Sequence, residues 1–214
     1  MDVFVRELDA LYVAYSAGRS SPLEELPIQY TDYAVWEHER QKGQTYQESL
    51  GYWRAHLADL STLALPVDRP RPAIRDFGSD KVVATLPPSI SGKVREFARA
   101  GRATSFMAYL TGFAVLLRRL TGQVDITVGT PISNRDLTEL EALIGYFTNT
   151  LVLRMDLSGN PGVGELLGRV RDVLLDAYRY RDVPFETLVE KLAPKRDLSR
   201  TPLFQVLFVH LGGG

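Results

Sequence analysis

The side chains able to do covalent or acid–base chemistry are few and scattered. The chain of 214 residues has no cysteine and three histidines, His38, His56 and His210. Without cysteine there is no disulfide, no thiolate nucleophile and no Cys-ligated zinc. No two histidines stand close enough in sequence to present paired ligands from one helix face, so no metal site is expected. His56 and Asp59 form a His-x-x-Asp pair on a predicted helix, a spacing that suits a solvated helix pair better than a catalytic dyad. No serine sits in a Gly-x-Ser-x-Gly elbow, so a Ser–His–acid hydrolase lacks its nucleophile turn. Gly162-Val163-Gly164 opens a helical pattern without a third glycine at the required place, and no Gly-Lys-Ser/Thr loop occurs. Nucleotide binding is therefore disfavoured.

Charge adds no partner. Lys and Arg number 25 against 26 Asp and Glu, a net charge of -1, which offers no basic field to gather nucleic acid. The composition, 45% hydrophobic and 24% charged, is that of a soluble globular chain. No apolar run approaches the ~20 residues that span a bilayer, and Met1-Asp2-Val3 lacks a signal-peptide start; a reduced, cytoplasmic location is the expectation.

The elements that must position any site follow from periodicity. Phe4, Leu8, Leu11, Tyr12 and Tyr15 share a helical stripe expected to be buried, with Gly18 as a stop. Residues 28–60 predict helices broken near Gly43, with Trp36 and Trp53 as packing anchors. Leu65-Pro-Val-Asp-Arg-Pro-Arg-Pro72 must be extended, because each proline fixes its own φ and restrains its predecessor. Lys81–Leu86 predicts a short strand, and Ser89 a cap for a helix to about Ala100. Thr104 or Ser105 caps a nearly all-apolar helix from Phe106 to Leu120 that is expected between layers. Asp125–Val128 predicts a strand leading into a Gly129-Thr130-Pro131 turn, and Leu137–Leu143 a short helix. Thr148–Leu157 alternates as a strand with one wet and one dry side. Helices follow at 162–178 and from Pro184, and Pro202–His210 predicts a strand buried on both faces. Helices alternating with buried strands give an α/β or α+β layered fold. The proline segment suggests two parts.

Several strings exceed what propensity explains. Ile28-Gln-Tyr-Thr-Asp-Tyr-Ala-Val-Trp36, Tyr52-Trp53, Leu65–Pro72, Val128-Gly-Thr-Pro131 with Arg135, Ile144-Gly-Tyr-Phe-Thr-Asn-Thr-Leu151, Arg181-Asp-Val-Pro-Phe-Glu186 and Arg196-Asp-Leu-Ser-Arg-Thr-Pro-Leu-Phe-Gln205 follow one another along the chain. This ordered series, covering almost everything from Val3 to Val209, resembles the condensation domains of nonribosomal peptide synthetases. The resemblance implies part of a two-lobed, chloramphenicol-acetyltransferase-like fold, with 1–87 as the end of the N-terminal lobe plus linker and 88–214 as the C-terminal lobe. It also implies a tunnel where phosphopantetheine arms of two carrier proteins meet, and no directly bound cofactor. The implied reaction is aminolysis: an amine attacks a thioester carbonyl, an oxyanion develops and a thiol leaves, which rewards positioning and aimed hydrogen-bond donors.

The family's His-His-x-x-x-Asp-Gly motif, which positions the amine or handles its proton, is absent from these 214 residues. In the family it lies just upstream of the helix that begins here near Val3, and the family continues past Val209 with further strands and a closing helix. The expectation is a portion of a condensation domain with no catalytic residue of its own, inert alone. The competing reading is a non-catalytic module that docks a carrier protein or a separate half-domain. An independent acyltransferase would need a base that nothing in the sequence supplies.

Matching positions carry expectations of differing kind. Asn149 resembles the family asparagine near the tunnel, where its amide would orient a carbonyl or water; equally, it would serve a local backbone bond. Gly129 and Thr130 resemble the turn below the family's active site, with the Thr130 hydroxyl a donor toward an oxyanion or simply a turn residue. Arg135, Arg154 and Arg200 are supporting candidates, the first two for phosphate or carboxylate, although structural ion pairs suit them better. Tyr30, Asp32 and Trp36 fix a crossover helix, and Asp182–Glu186 starts a helix. Arg196, Asp197, Ser199 and Arg200 make a charged turn. Unpaired strand edges and apolar faces predict self-association of the isolated chain.

Overall fold

The computed structural model describes residues 2–75, 78–192 and 197–211. The elements run α1 (Asp2–Ser16), α2 (Tyr30–Arg40), α3 (Gln44–His56), α4 (Pro88–Ala100), α5 (Ser105–Thr121), β1 (Asp125–Ser133), β2 (Thr148–Asp156), α6 (Val163–Arg179) and α7 (Phe185–Leu192). A 3-10 turn at Thr138–Leu140 takes the place of the helix expected at Leu137–Leu143. The chain divides into two compact units, Met1–Gln47 with Ile132–Asn149, and Glu48–Pro131 with Thr150–Gly214.

In the first unit, Tyr33, Leu140, Leu143 and Phe147 make a small core with Leu26 and Ile28 packed against it. Asp32 starts α2 by accepting the Gln29 N–H at 2.8 Å, which satisfies one orphan donor of the first turn. The Tyr30 hydroxyl donates to the Tyr146 carbonyl at 3.0 Å. Its ring fills the space beside the Gly145 Cα, where a Cβ would lie 2.6 Å from Cε2. The predicted helix at α1 forms, but its stripe is not buried. Phe4, Leu8, Tyr12 and Tyr15 are 49%, 55%, 71% and 60% exposed, and the buried position is Ala14. The helix rests on the face of Val3, Ala10 and Ala14, about a third of a turn from its largest side chains.

The second unit is built on β1. Thr104 caps α5 by accepting the Met107 N–H, and Gly122 ends it at φ 72, a left-handed geometry that glycine adopts without strain. α5 packs between α4 and α6, burying Leu110, Ala114 and Leu117, while Leu116 and Leu120 remain half exposed. Leu166, Leu167, Val170, Leu174 and Ala177 of α6 are buried as its stripe predicts. α4 begins at Pro88 with Pro87 in the cap position, so Ser89 lies inside the first turn and does not cap.

The strand at β1 is longer than its sequence suggests. It passes straight through Gly129-Thr130-Pro131 rather than turning there. The backbone bonds Leu157 N to Val124 O and Asn134 N to Phe147 O fix an antiparallel register with β2, in which Gly129 stands opposite Val152 and Pro131 opposite Thr150. The amide positions of these two residues then point away from β2, so the missing proline donor costs the ladder nothing. On that outer side the Gly129 N–H donates to the Val206 carbonyl at 2.9 Å, and the Phe208 N–H donates to the Gly129 carbonyl at 2.8 Å. Segment 202–210 pairs with β1 as a parallel bridge between Gly129 and Leu207. It is not buried on both faces: Leu207 and Val209 are 52% and 50% exposed. β2 departs from its wet-and-dry pattern, because Val152 on the predicted wet face is fully buried. Lys81–Leu86 forms no strand; Val82 and Val83 lie open to solvent, and among the described residues no strand pairs with them.

Candidate functional site

The candidate residues of the second unit gather around β1. Gly129 and Thr127 face one side of the strand, while Thr130 shares the other with Ile126 and Val128. The ring of Phe204 lies directly over Gly129, so that a Cβ there would come within 2.6 Å of Cε1. Phe185 of α7 packs on that ring at 5.4 Å between centroids. Glycine is thus demanded by close approach of a side chain. Thr130 is 3% exposed, on the face it shares with the fully buried Ile126 and Val128.

Arg154 of β2 is a structural clamp. Its Nε and Nη2 donate to Asp125 Oδ1 and Oδ2 at 2.9 and 2.8 Å. Its Nη1 reaches the carbonyls of His56 at 2.9 Å and Ala58 at 2.7 Å. One guanidinium therefore ties both strands to the end of α3 and the segment after it. α3 ends at His56, and Asp59 has φ 52, so the His56–Asp59 helix pair does not form. His56 instead stacks on Tyr52 at 5.2 Å, which stacks on Tyr180 at 4.1 Å. Burial, and then the Arg154 charge, push the His56 pKa below its usual value, while burial raises Tyr52 to about 12. Trp53 is 1% exposed and donates its indole N–H to the Tyr180 carbonyl at 2.8 Å. It is the packing anchor expected, while Trp36 is 44% exposed beneath Arg40.

A cavity of about 700 Å³ opens in this unit, between residues 57–63, the last turn of α7 and segment 197–205. Leu57, Leu60, Leu63, Val189, Leu192 and Phe204 give it apolar walls; Arg75, Asp197, Arg200, Thr201 and Gln205 are polar, and Thr127 lines it from β1. Asp197 is turned toward Ser199, whose N–H and Oγ donate to it at 2.9 and 2.6 Å. Those bonds hold the Asp197 carboxyl below its ordinary pKa and leave Arg200 a long contact of 3.8 Å. Arg75 donates to Thr201 Oγ1 at 2.7 Å. Arg196, expected in the same charged turn, lies outside the described residues. Sequence reasoning missed Thr127 and Arg75. Strand alternation, extended through the assumed turn, would have placed Thr127 beside Gly129.

Two candidates belong to the first unit. Asn149 is 7% exposed. Arg135 makes no ion pair among the described residues; it stacks over Phe147 at 4.1 Å and donates to the Leu140 carbonyl, which fixes the loop between β1 and β2. Among the described residues no group of three His, Cys, Asp or Glu is placed to hold a metal ion, and no helix is long and apolar enough to cross a membrane.

Comparison with known proteins identifies the family. The condensation domain family matches residues 1–210. The chain is 46% identical over 210 residues to a linear gramicidin synthase of Brevibacillus parabrevis, covering 98% of this chain and 4% of that one. It is 44% identical to the chondramide synthase of Chondromyces crocatus, covering 95% and 5%. Among solved structures it is similar to the X-domain from teicoplanin biosynthesis, with TM-score 0.90 and 35% identity over 97% of this chain and 47% of that one. The condensation domain of the monacolin K polyketide synthase gives TM-score 0.68 at 26% identity, over 94% and 49%. The mixed fold of helices and a short sheet is that of condensation domains. The chain spans less than half of these solved domains and a few per cent of the synthetases, and it belongs to the condensation-domain family of nonribosomal peptide synthetases.

Proposed function

We propose that these residues are part of a condensation domain whose complete form joins a carrier-bound acyl or peptidyl thioester to a carrier-bound aminoacyl amine, and that the chain alone does not turn over. The observation that carries this reading is the ordered motif series, from Ile28 to Gln205, within a stretch that the family matches over residues 1–210. In this reading residues 1–87 close an N-terminal lobe and 88–214 form most of a C-terminal lobe, in a cytoplasmic assembly. Phosphopantetheine arms of the carriers present both substrates.

The chemistry asked of such a domain is positioning. The amine nitrogen attacks the thioester carbon, the carbonyl oxygen gathers negative charge, and the C–S bond breaks as the amine loses its proton. Each step gains from holding the reactants within contact distance and from hydrogen-bond donors aimed at the developing charge. Asn149 and Thr130 are the polar side chains that the resemblance brings to the tunnel. Both are buried, at 7% and 3% exposure; in this reading the Asn149 amide orients a substrate carbonyl or a water and the Thr130 hydroxyl is a donor toward the developing oxyanion. Gly129 lets Phe204 seat against the same strand. Arg135, Arg154 and Arg200 support the scaffold, and no residue of this chain is assigned the proton.

The test is to incubate purified chain with donor and acceptor carrier-protein thioesters and follow product by mass spectrometry. No amide is expected. Condensation at the rate of a complete domain overturns the proposal, because it requires a base outside the family's histidine motif.

A second reading is a non-catalytic docking module. One observation favours it: the X-domain similar to this chain has been solved in complex with OxyB. Titration with loaded and unloaded carrier protein distinguishes the readings, since a docking module binds saturably without turnover even when fused to the rest of its domain.

A further inference from the structure

We propose that residues 64–75 form a strap, anchored at Ala64 and held at Arg75 by a reversible catch, whose release opens the cavity between residues 57–63, α7 and 197–205. The inference stands on how the segment is fastened and is independent of the condensation reading.

The Ala64 end is anchored by burial. Leu63 is 3% exposed, and the Gln123 side chain grips the backbone on both sides of it. Its Oε1 accepts the Ala64 N–H at 2.7 Å, and its Nε2 donates to the Thr62 carbonyl at 3.2 Å. One amide thus replaces a neighbouring strand for residues 62–64, satisfying a backbone donor and a backbone acceptor together. Moving this end would take Leu63 out of its packing as well as break both bonds.

The Arg75 end is held by polar contacts without burial. Its N–H donates to the Leu198 carbonyl at 3.0 Å, and its Nη1 donates to Thr201 Oγ1 at 2.7 Å. Arg71 stands beside the same turn: the Asp197 carboxyl, held low first by its Ser199 bonds, is lowered further by the charges of Arg200 and Arg71. Residues 66–75 are all exposed, Ile74 at 71%. Exposed polar contacts are individually weak, because water takes the place of either partner when they part. Segments with few buried contacts and exposed hydrogen bonds open without the rest of the fold. Pro66, Pro70 and Pro72 fix three φ angles between the two ends, so the strap swings as a stiff arm.

The catch is also a piece of wall. Arg75, Leu198 and Thr201 all line the cavity of about 700 Å³, so parting them opens it on that side while Leu57 and Leu63, both buried, stay in place.

The test uses the whole chain, and its first arm needs no variant. Trypsin does not cut before proline, so Arg69 and Arg71 resist it, and the cleavable positions of the segment are Arg75 and Lys81. Cleavage that must wait for release tracks the open population. Measured against Lys81, whose neighbour Val82 is 95% exposed, cleavage after Arg75 should be about tenfold slower in the chain than in a synthetic peptide of residues 66–86. Thr201→Val removes the guanidinium's acceptor and should raise it about threefold; Thr201→Ser keeps the hydroxyl and should not.

The second arm reads the cavity. The chain has no cysteine, so Val189→Cys on the α7 wall supplies a single thiol. N-ethylmaleimide should modify it about threefold faster when Thr201→Val is added, while a Val82→Cys control keeps its rate. Equal relative cleavage after Arg75 in chain and peptide overturns the proposal, because that end is then not fastened. Resistance at Arg75 until the whole chain unfolds overturns it too, because the end is then a fixed wall. A Val189→Cys thiol indifferent to Thr201→Val also contradicts it, because the catch then does not govern the cavity.

Discussion

Arg154 and Asp125 face each other across the two strands through a pair of parallel N–H···O bonds of 2.9 and 2.8 Å. The same guanidinium holds two carbonyls at the end of α3, so the pair sets where the wall formed by residues 57–63 stands relative to the sheet. Their side chains are 25% and 32% exposed, sheltered enough that the pair outweighs an ordinary surface ion pair. Arg154→Ala strands the Asp125 carboxylate and two carbonyls; it should cost about 1–3 kcal/mol in urea denaturation. Arg154→Lys should recover only part of that, because an ammonium cannot reproduce the fork.

The seating of Phe204 over Gly129 makes a second, independent prediction. Gly129→Ala places a methyl group where the ring already is and should destabilise the chain by about 1–3 kcal/mol. In the double variant with Phe204→Leu the alanine should cost measurably less, and the difference is the coupling that a double-mutant cycle reads. Additive losses would show that the ring moves aside freely.

His56 makes stability depend on pH. Its folded pKa lies below its ordinary value near 6.5, through burial and then the Arg154 charge, partly offset by Asp176 and Asp125. Below pH about 6.5 the unfolded chain takes up a proton that the folded chain resists, so stability falls as pH drops from there to the lowered folded value, and then levels off. The melting temperature of the unsubstituted chain should fall across this window more than that of His56→Phe. Parallel curves would show that the ring titrates freely.

The open stripe of α1 predicts association. Phe4, Leu8, Tyr12 and Tyr15 lie on one side of the helix and are each about half exposed or more, a contiguous apolar surface of the kind that marks interfaces. Light scattering should show concentration-dependent oligomers. Leu8→Gln with Tyr12→Gln should reduce them while changing melting temperature little, since neither side chain supports the unit's core.

The sequence showed most helices because their signals are local. Thr104 and Gly122 bracket α5, and the stripe of α6 is buried where its period places it. What it hid depends on partners distant in the chain. The direction of the α1 stripe is not written in its period, which marks an apolar face without saying what covers it. Gly129-Thr130-Pro131 has turn composition, yet it runs as strand because both Gly129 and Pro131 present their amide positions away from β2, and 206–208 bonds Gly129 there. Lys81–Leu86 has strand composition and, among the described residues, no strand to pair with. The site was legible as residues more than as geometry: Gly129 and Arg154 were found, but their contacts, Phe204 and Asp125, stand 75 and 29 positions away.

The most direct measurement is a chimera. Residues 2–210 should be exchanged for the matching stretch of a complete, active condensation domain, leaving that domain's His-His-x-x-x-Asp-Gly in place, and dipeptide formation followed on its carrier-bound substrates. An active chimera is expected, whose turnover falls with Asn149→Ala while its melting temperature holds. A folded, monodisperse chimera that forms no amide would contradict the condensation reading and leave the docking module as the better description.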